Sequence, residues 1–219
     1  VSQWEFRTGT AAATQQLAQQ LAKFLQAGDL IILSGELGAG KTTFTQGLGR
    51  SLGVREGIIS PTFVLVRIHP NLPDGHNPGG PDLVHVDAYR LATPGEIDDI
   101  DLENTMDSAV TVVEWGVDRV EHLAASRLEI ELVRAVGGAA PAPAGDPASD
   151  PAGDPARDPA GDFAGEDSAT LDFAGTFDED DDEPRTLRLS AVGPRWDGVD
   201  FSALAQLSTG AAQEPNGID

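Results

Sequence analysis

The sequence predicts an α/β fold, a mostly parallel sheet flanked by helices, and three observations carry that prediction. Short aliphatic runs recur along the chain: Leu30–Leu33, Leu83–Val86 and Val110–Val113. Near-continuous apolar runs of this length suit parallel strands buried on both faces. The first run feeds a glycine-rich turn and then a stretch that reads as helix. The other two each end in a carboxylate, Asp87 and Glu114, at the edge of a parallel sheet where ligands bind.

The elements follow in order. Thr10 suits the N-cap of a helix reaching about Gln26, with Leu17, Leu21, Phe24 and Leu25 on one face and Gly28 to end it. Leu30–Ser34 is the first strand. A helix is expected from about Lys41 to Leu52, closed by Gly53. Phe63–Ile68 reads as a second strand. The segment 69–82 holds four prolines and three glycines and reads as an exposed loop. Leu83–Val86 is a third strand, 94–107 is at least partly helical, and Val110–Val113 is a fourth strand. Val117–Leu123 reads as a short helix, and Leu128–Val133 as a fifth strand.

Composition then changes. Residues 137–184 are rich in Ala, Gly, Pro and Asp, with Asp146, Asp150, Asp154, Asp158 and Asp162 recurring every four residues. Proline follows four of them directly, which forbids a continuous helix or central strand. With so little apolar surface to offset ordering entropy, an acidic disordered insert is expected. The spacing lacks the closing Glu of an EF-hand loop, which argues against a calcium site. Strand character returns at Thr186–Val192, so the insert interrupts a hairpin. The expected organisation is a body over 1–136, the insert over 137–184, and a final strand with a tail over 185–219.

Charge and composition narrow the function. Net charge is −22, but Asp146 to Glu183 alone holds 14 acidic residues and one Arg, leaving −9 for the rest. A body of that sign, without a basic stripe, disfavours direct tight binding to a phosphate backbone. The chain has no cysteine, which excludes disulfides and thiolate metal sites and suits a cytoplasmic protein. Neither a signal peptide at Val1–Gly9 nor an apolar run of membrane-spanning length is expected.

Gly35, Gly40, Lys41 and Thr42 satisfy G-x-x-x-x-G-K-[ST], the phosphate-binding P-loop, with the required strand before it and helix after it. The expected architecture is therefore P-loop NTPase-like, binding ATP and Mg²⁺. Backbone N–H groups from Gly38 to Thr42 would face the β-phosphate, Lys41 would bridge β- and γ-oxygens, and the Thr42 hydroxyl would ligate Mg²⁺. Such a site needs an acidic residue on a neighbouring strand. Asp87 and Glu114 both qualify, and their position alone does not separate their roles. Ser60-Pro61-Thr62 lies where a γ-phosphate-sensing loop sits in P-loop proteins; it could equally be a plain proline turn.

Taken together, Gly35-Glu36-Leu37-Gly38-Ala39-Gly40-Lys41-Thr42-Thr43-Phe44, Ser60-Pro61-Thr62-Phe63, His85-Val86-Asp87-Ala88-Tyr89-Arg90-Leu91 and Val113-Glu114-Trp115 resemble the TsaE family. This is the ATPase subunit of the bacterial machinery for tRNA threonylcarbamoyladenosine. The resemblance spans roughly 4–133 and the strand near 186–192. It implies Mg²⁺-dependent ATP hydrolysis in the cytoplasm and assembly with TsaB and TsaD, with tRNA engaged through the complex. The modification goes onto adenosine 37 of tRNAs reading codons that begin with A. Carried over, Leu37 to Thr43 hold the nucleotide, Lys41 and Asp87 serve hydrolysis, and Thr42 and Glu114 hold the metal. Thr62 matches the switch segment and Thr10 a nucleotide contact. The chain departs from the family pattern in the 69–82 loop, the acidic insert, Asp101 in place of a glycine and Val117 in place of a polar residue. A small-molecule kinase and a nucleotide-dependent binding switch are the competing readings. A kinase would need arginines around the transferring phosphoryl group, and past the P-loop helix the candidates are Arg67, Arg90 and Arg119.

Overall fold

The computed structural model of the chain describes residues 1–91, 96, 100, 102–135 and 183–205, all within one compact unit. Its centre is a seven-stranded sheet. The strands are β1 (Ser2–Thr8), β2 (Leu30–Ser34), β3 (Val66–His69), β4 (Asp82–Asp87), β5 (Ala109–Glu114), β6 (Arg127–Arg134) and β7 (Arg185–Val192). Their order is β1-β7-β6-β2-β5-β4-β3. The central pairs β6/β2, β2/β5 and β5/β4 are parallel. The flanking pairs β1/β7, β7/β6 and β4/β3 are antiparallel. The mostly parallel α/β architecture read from the sequence is thus the one observed.

Alternation along the strands divides the core into two layers. Ile31, Leu33, Leu83, Val110, Val112, Ile130 and Leu187 pack with Leu17, Leu21, Phe44 and Leu48 from α1 (Ala11–Leu21) and α2 (Lys41–Leu52). Leu30, Ile32, Val84, Val86 and Val113 face the other way, onto Leu102 and Met106 around the short α3 (Glu103–Met106). The two long helices approach closely at Gly47, where an added Cβ would lie 2.4 Å from the Gln15 carbonyl oxygen.

Several elements differ from expectation for local reasons. Helix α1 begins after Thr10, whose hydroxyl accepts from Ala13 N at 3.0 Å, but it ends at Leu21 and tightens into a 3-10 turn over Ala22–Phe24. The next residues serve Asp29, which is buried: its carboxylate accepts from Gln26 N at 2.8 Å and from Arg195 at 3.2 Å. Burial raises the Asp29 pKa above the ordinary carboxylate value, and the Gln26 N–H and the Arg195 charge oppose that rise. Strand β3 starts three residues later than expected, because Pro61 O accepts from Val64 N and Leu65 N and Leu65 turns to φ 66°. Val117–Leu123 is a turn with only a 3-10 segment at Glu121–Leu123; Asp118 at φ 62° breaks any helix there. Strand β1 was not expected at all.

The 69–82 loop has a structural task. Asn71 Nδ2 donates to Leu52 O at 2.8 Å and to Asn77 O at 2.9 Å, and Leu72 N donates to Gly53 O at 2.9 Å. Carbonyls at the end of α2 are satisfied by this loop. Strands β6 and β7 form the expected hairpin, with Arg134 paired to Arg185. The Asp/Pro repeat lies outside the described residues, as do 94, 95, 97–99 and 101 of the helix expected over 94–107; the described part of that segment includes α3.

Candidate functional site

The strand order brings the C-terminal ends of β2, β5 and β4 side by side, and the residues singled out by sequence gather there. The loop after β2 is shaped by its neighbours. Gly35 sits at φ 138°, and a Cβ there would lie 2.4 Å from Leu132 O, so no side chain fits. Leu37 is exposed, Gly38 and Gly40 have positive φ, Ala39 is buried, and Thr43 is half-buried on the first turn of α2.

Lys41 is 5% exposed. Its Nζ donates to the carbonyls of Gly35 at 2.9 Å and Glu36 at 3.0 Å and lies 3.9 Å from the centre of the Trp115 ring. Burial lowers its pKa below the ordinary lysine value; the negative charges of Glu114 and Asp87 oppose that. Trp115 holds φ 61°, a conformation a non-glycine residue seldom adopts, and Arg119 braces it by donating to Trp115 O at 3.0 Å and Ala88 O at 2.7 Å.

Two carboxylate clusters stand beside the lysine. In the first, Glu114 Oε1 accepts from Thr42 Oγ1 at 3.2 Å and contacts His85 Nε2 at 2.8 Å. In the second, Asp87 Oδ2 accepts from Thr62 Oγ1 at 2.6 Å and Ser60 Oγ at 3.3 Å, and Oδ1 accepts from Tyr89 N at 3.0 Å. Asp87 and Glu114 are themselves partners in the β4/β5 register. So Lys41, Thr42, Thr62, Asp87 and Glu114 converge. Thr10 caps α1 with its hydroxyl, two residues past the end of β1, which the register Thr8–Arg185–Arg134 places at this same edge of the sheet. Residues the sequence reading gave no role are His85, Ser60, Trp115, Arg134 and Arg185. Arg134 Nη1 lies 3.2 Å from where a Gly38 Cβ would be, and Arg185 Nε lies 3.4 Å from that of Gly40. The register pairing Arg134 with Arg185 was the signal that could have found them, but it is visible only in the fold.

The residues suit a nucleotide triphosphate with a divalent cation. Helix α2 has twelve residues, no side-chain cap and no acidic residue in its first turn, so its N-terminal N–H groups are suited to an anion. A buried ammonium adds positive charge. Among the described residues no group of three or more His, Asp or Glu forms a ready-made metal cage. A single carboxylate with a hydroxyl suits Mg²⁺, which is usually completed by water and substrate phosphates.

Comparison with known proteins places the chain in one family. Residues 8–138 match the family model described as threonylcarbamoyl adenosine biosynthesis protein TsaE. A tRNA threonylcarbamoyladenosine biosynthesis protein TsaE of Streptomyces coelicolor is 54% identical over 192 residues, 87% of this chain and 99% of the relative. The protein of that name from Bacillus subtilis is 35% identical over 136 residues, 62% of this chain and 80% of the relative. Among solved structures, the crystal structure of Bacillus subtilis YdiB superposes with a TM-score of 0.55 at 26% identity, covering 95% of each chain.

Proposed function

The chain belongs to the TsaE family of threonylcarbamoyl adenosine biosynthesis proteins, and from that premise we propose that it binds and hydrolyses ATP with Mg²⁺ as a subunit required to form the threonylcarbamoyl group on adenosine 37 of tRNA. The observation that carries the reading is the convergence of Lys41, Thr42 and Glu114 at the uncapped start of α2.

In this reading Leu37 to Thr43 bind the phosphates through backbone N–H groups, the Lys41 ammonium and the helix N-terminus. The Thr42 hydroxyl and Glu114 hold Mg²⁺, which when bound neutralises charge on the phosphate oxygens. Asp87, held by Thr62 and Ser60, orients water or senses the γ-phosphate. Trp115 and the Gly35 and Glu36 carbonyls keep Lys41 in place. Hydrolysis is favoured over phosphoryl transfer to a small acceptor. Two of the three arginines a kinase would recruit are otherwise engaged: Arg119 on backbone carbonyls, and Arg90 with its guanidinium 5.1 Å from the Phe63 ring.

TsaB- and TsaD-type partners are part of the proposal. Leu37, Phe63, Tyr89 and Val117 are exposed apolar residues that lie in or just after the site segments. Large apolar side chains in such positions suit a protein partner that reads the nucleotide state. The proposed setting is the cytoplasm. No helix among the described residues is long and apolar enough to cross a membrane.

The test is Mg²⁺-dependent ADP release by the wild type and by Lys41→Ala, alone and with TsaB- and TsaD-type proteins. Lys41→Ala is expected to fold normally and to lose turnover by ~100-fold or more, as when a group acting on transition-state charge is removed. Near wild-type turnover in the folded variant would sink the assignment.

A further inference from the structure

We propose that His85 is the positioning residue for Glu114, fixing its carboxylate for Mg²⁺; the proposal rests on reading Glu114 as the metal ligand. His85 is on β4, two residues before Asp87, so both face the α2 side of the sheet. It is fully buried, and its Nε2 lies 2.8 Å from Glu114 Oε1 on the adjacent parallel strand. An ionised carboxylate only accepts hydrogen bonds, so the hydrogen between them belongs to Nε2.

An imidazole is a costly choice at this position. Leu83, two residues earlier on the same face, fills the core with no polar atom to satisfy. The Nδ1 of His85 is buried with no hydrogen-bond partner among the described residues, and the His69 ring centre lies 6.5 Å away. Burying an unsatisfied polar atom is unfavourable. What histidine supplies here, and leucine would not, is the Nε2–H directed at Glu114.

Glu114 needs such an anchor. Its side chain has three rotatable bonds, and its other recorded donor, the Thr42 hydroxyl at 3.2 Å, is itself a proposed ion ligand. The His85 contact comes from a different strand, and its donor is not itself a proposed ion ligand. Hydrogen bonds behind a ligating carboxylate fix its orientation, and their loss typically lowers metal affinity by roughly 10- to 100-fold.

The experiment measures binding of the β,γ-imido analogue of ATP by calorimetry, with Mg²⁺ and with EDTA, and takes the ratio of the two affinities. Variants are His85→Leu, His85→Asn, His85→Gln, Glu114→Gln and the double variant His85→Leu/Glu114→Gln. Glutamine carries its amide N–H close to the Nε2 position, and asparagine is too short to reach. The Mg²⁺ ratio should drop about 10-fold or more in His85→Leu and His85→Asn and stay within about 3-fold of wild type in His85→Gln. The double variant should match Glu114→Gln, since the first change acts through the second residue. Affinity in EDTA and the thermal midpoint report that the fold is intact, and His85→Asn stands in if His85→Leu does not fold. A wild-type ratio in His85→Asn and His85→Leu, or an equal loss in His85→Gln, overturns the role of His85 while leaving Glu114 as ligand. A wild-type ratio in Glu114→Gln overturns the metal reading and the His85 proposal together.

Discussion

Asp87 and Glu114 are neighbours in register, yet their partners differ in a way that predicts different roles. Glu114 shares Thr42 with the phosphate loop, whereas Asp87 is held by Thr62 and Ser60 from the segment before β3. If Glu114 holds Mg²⁺, Glu114→Gln removes a charge beside the ion and should weaken nucleotide binding in Mg²⁺ much more than in EDTA. Asp87→Asn should leave binding nearly intact and lower the single-turnover rate, because its contribution is made mainly in the transition state. Measuring both quantities for both variants decides it, and the reverse pattern would exchange the roles. Both carboxylates were legible in the sequence because each ends an apolar strand. Their separation was not, because it depends on which hydroxyl reaches which oxygen. His85 and Ser60 lay inside recognised segments, but only the packing of β4 against β5 and against the 60–62 turn gives them partners. Thr10 reads correctly as a cap, and its hydroxyl is used for that purpose.

Strands β2 and β4–β7 and helix α2 were legible because their signals are local: unbroken aliphatic runs, strand alternation, and a glycine at each end of the helix. The errors fall where tertiary contacts decide. Strand β1 buries only Phe6 and Thr8, too little alternation to stand out, and gains its place by pairing with β7. The 69–82 loop reads as exposed turn residues, yet Asn71 binds the end of α2. Asn71→Ala should therefore lower stability by about 1–2 kcal/mol, through loss of the hydrogen bonds its side chain makes to Leu52 O, Asn77 O and Gly79 N. Denaturant midpoints at unchanged slope would measure this, and a change within about 0.5 kcal/mol, the range of ordinary surface substitutions, would show that the loop does not support α2. The acidic segment leads to a second expectation. Arg134 and Arg185 are directly paired, so a short Gly/Ser linker replacing 137–184 can join β6 to β7. Its composition provides no core of its own, so nucleotide affinity and thermal midpoint should survive the replacement. A large loss of either would mean that the segment supports the body.

At the scale of the whole molecule, charge governs how this chain can meet tRNA. The net −22, and the −9 that remains outside 146–183, repel a polyanion at long range. The basic residues give little local relief. Arg7, Arg50, Arg127, Arg134, Arg188 and Arg195 each pair with a carboxylate, and Lys41 lies buried against the loop after β2. A protein that reaches tRNA through partners has no need of a basic surface, whereas one that binds it directly would gain affinity from each phosphate it neutralises. The isolated chain should therefore bind tRNA more weakly than about 10⁻⁵ M at physiological salt, within or below the range of non-specific nucleic-acid binding. Adding TsaB- and TsaD-type proteins should bring it onto tRNA without any change in its own sequence. Fluorescence anisotropy of labelled tRNA over a salt series, with and without the partners, measures both. Screening shortens the reach of repulsion to about 8 Å near 0.15 M salt, so binding by the chain alone should if anything improve as salt rises. Sub-micromolar binding by the isolated chain, weakening steeply with salt, would show instead that the described arginines release their carboxylates for phosphate, and that this subunit touches the tRNA itself.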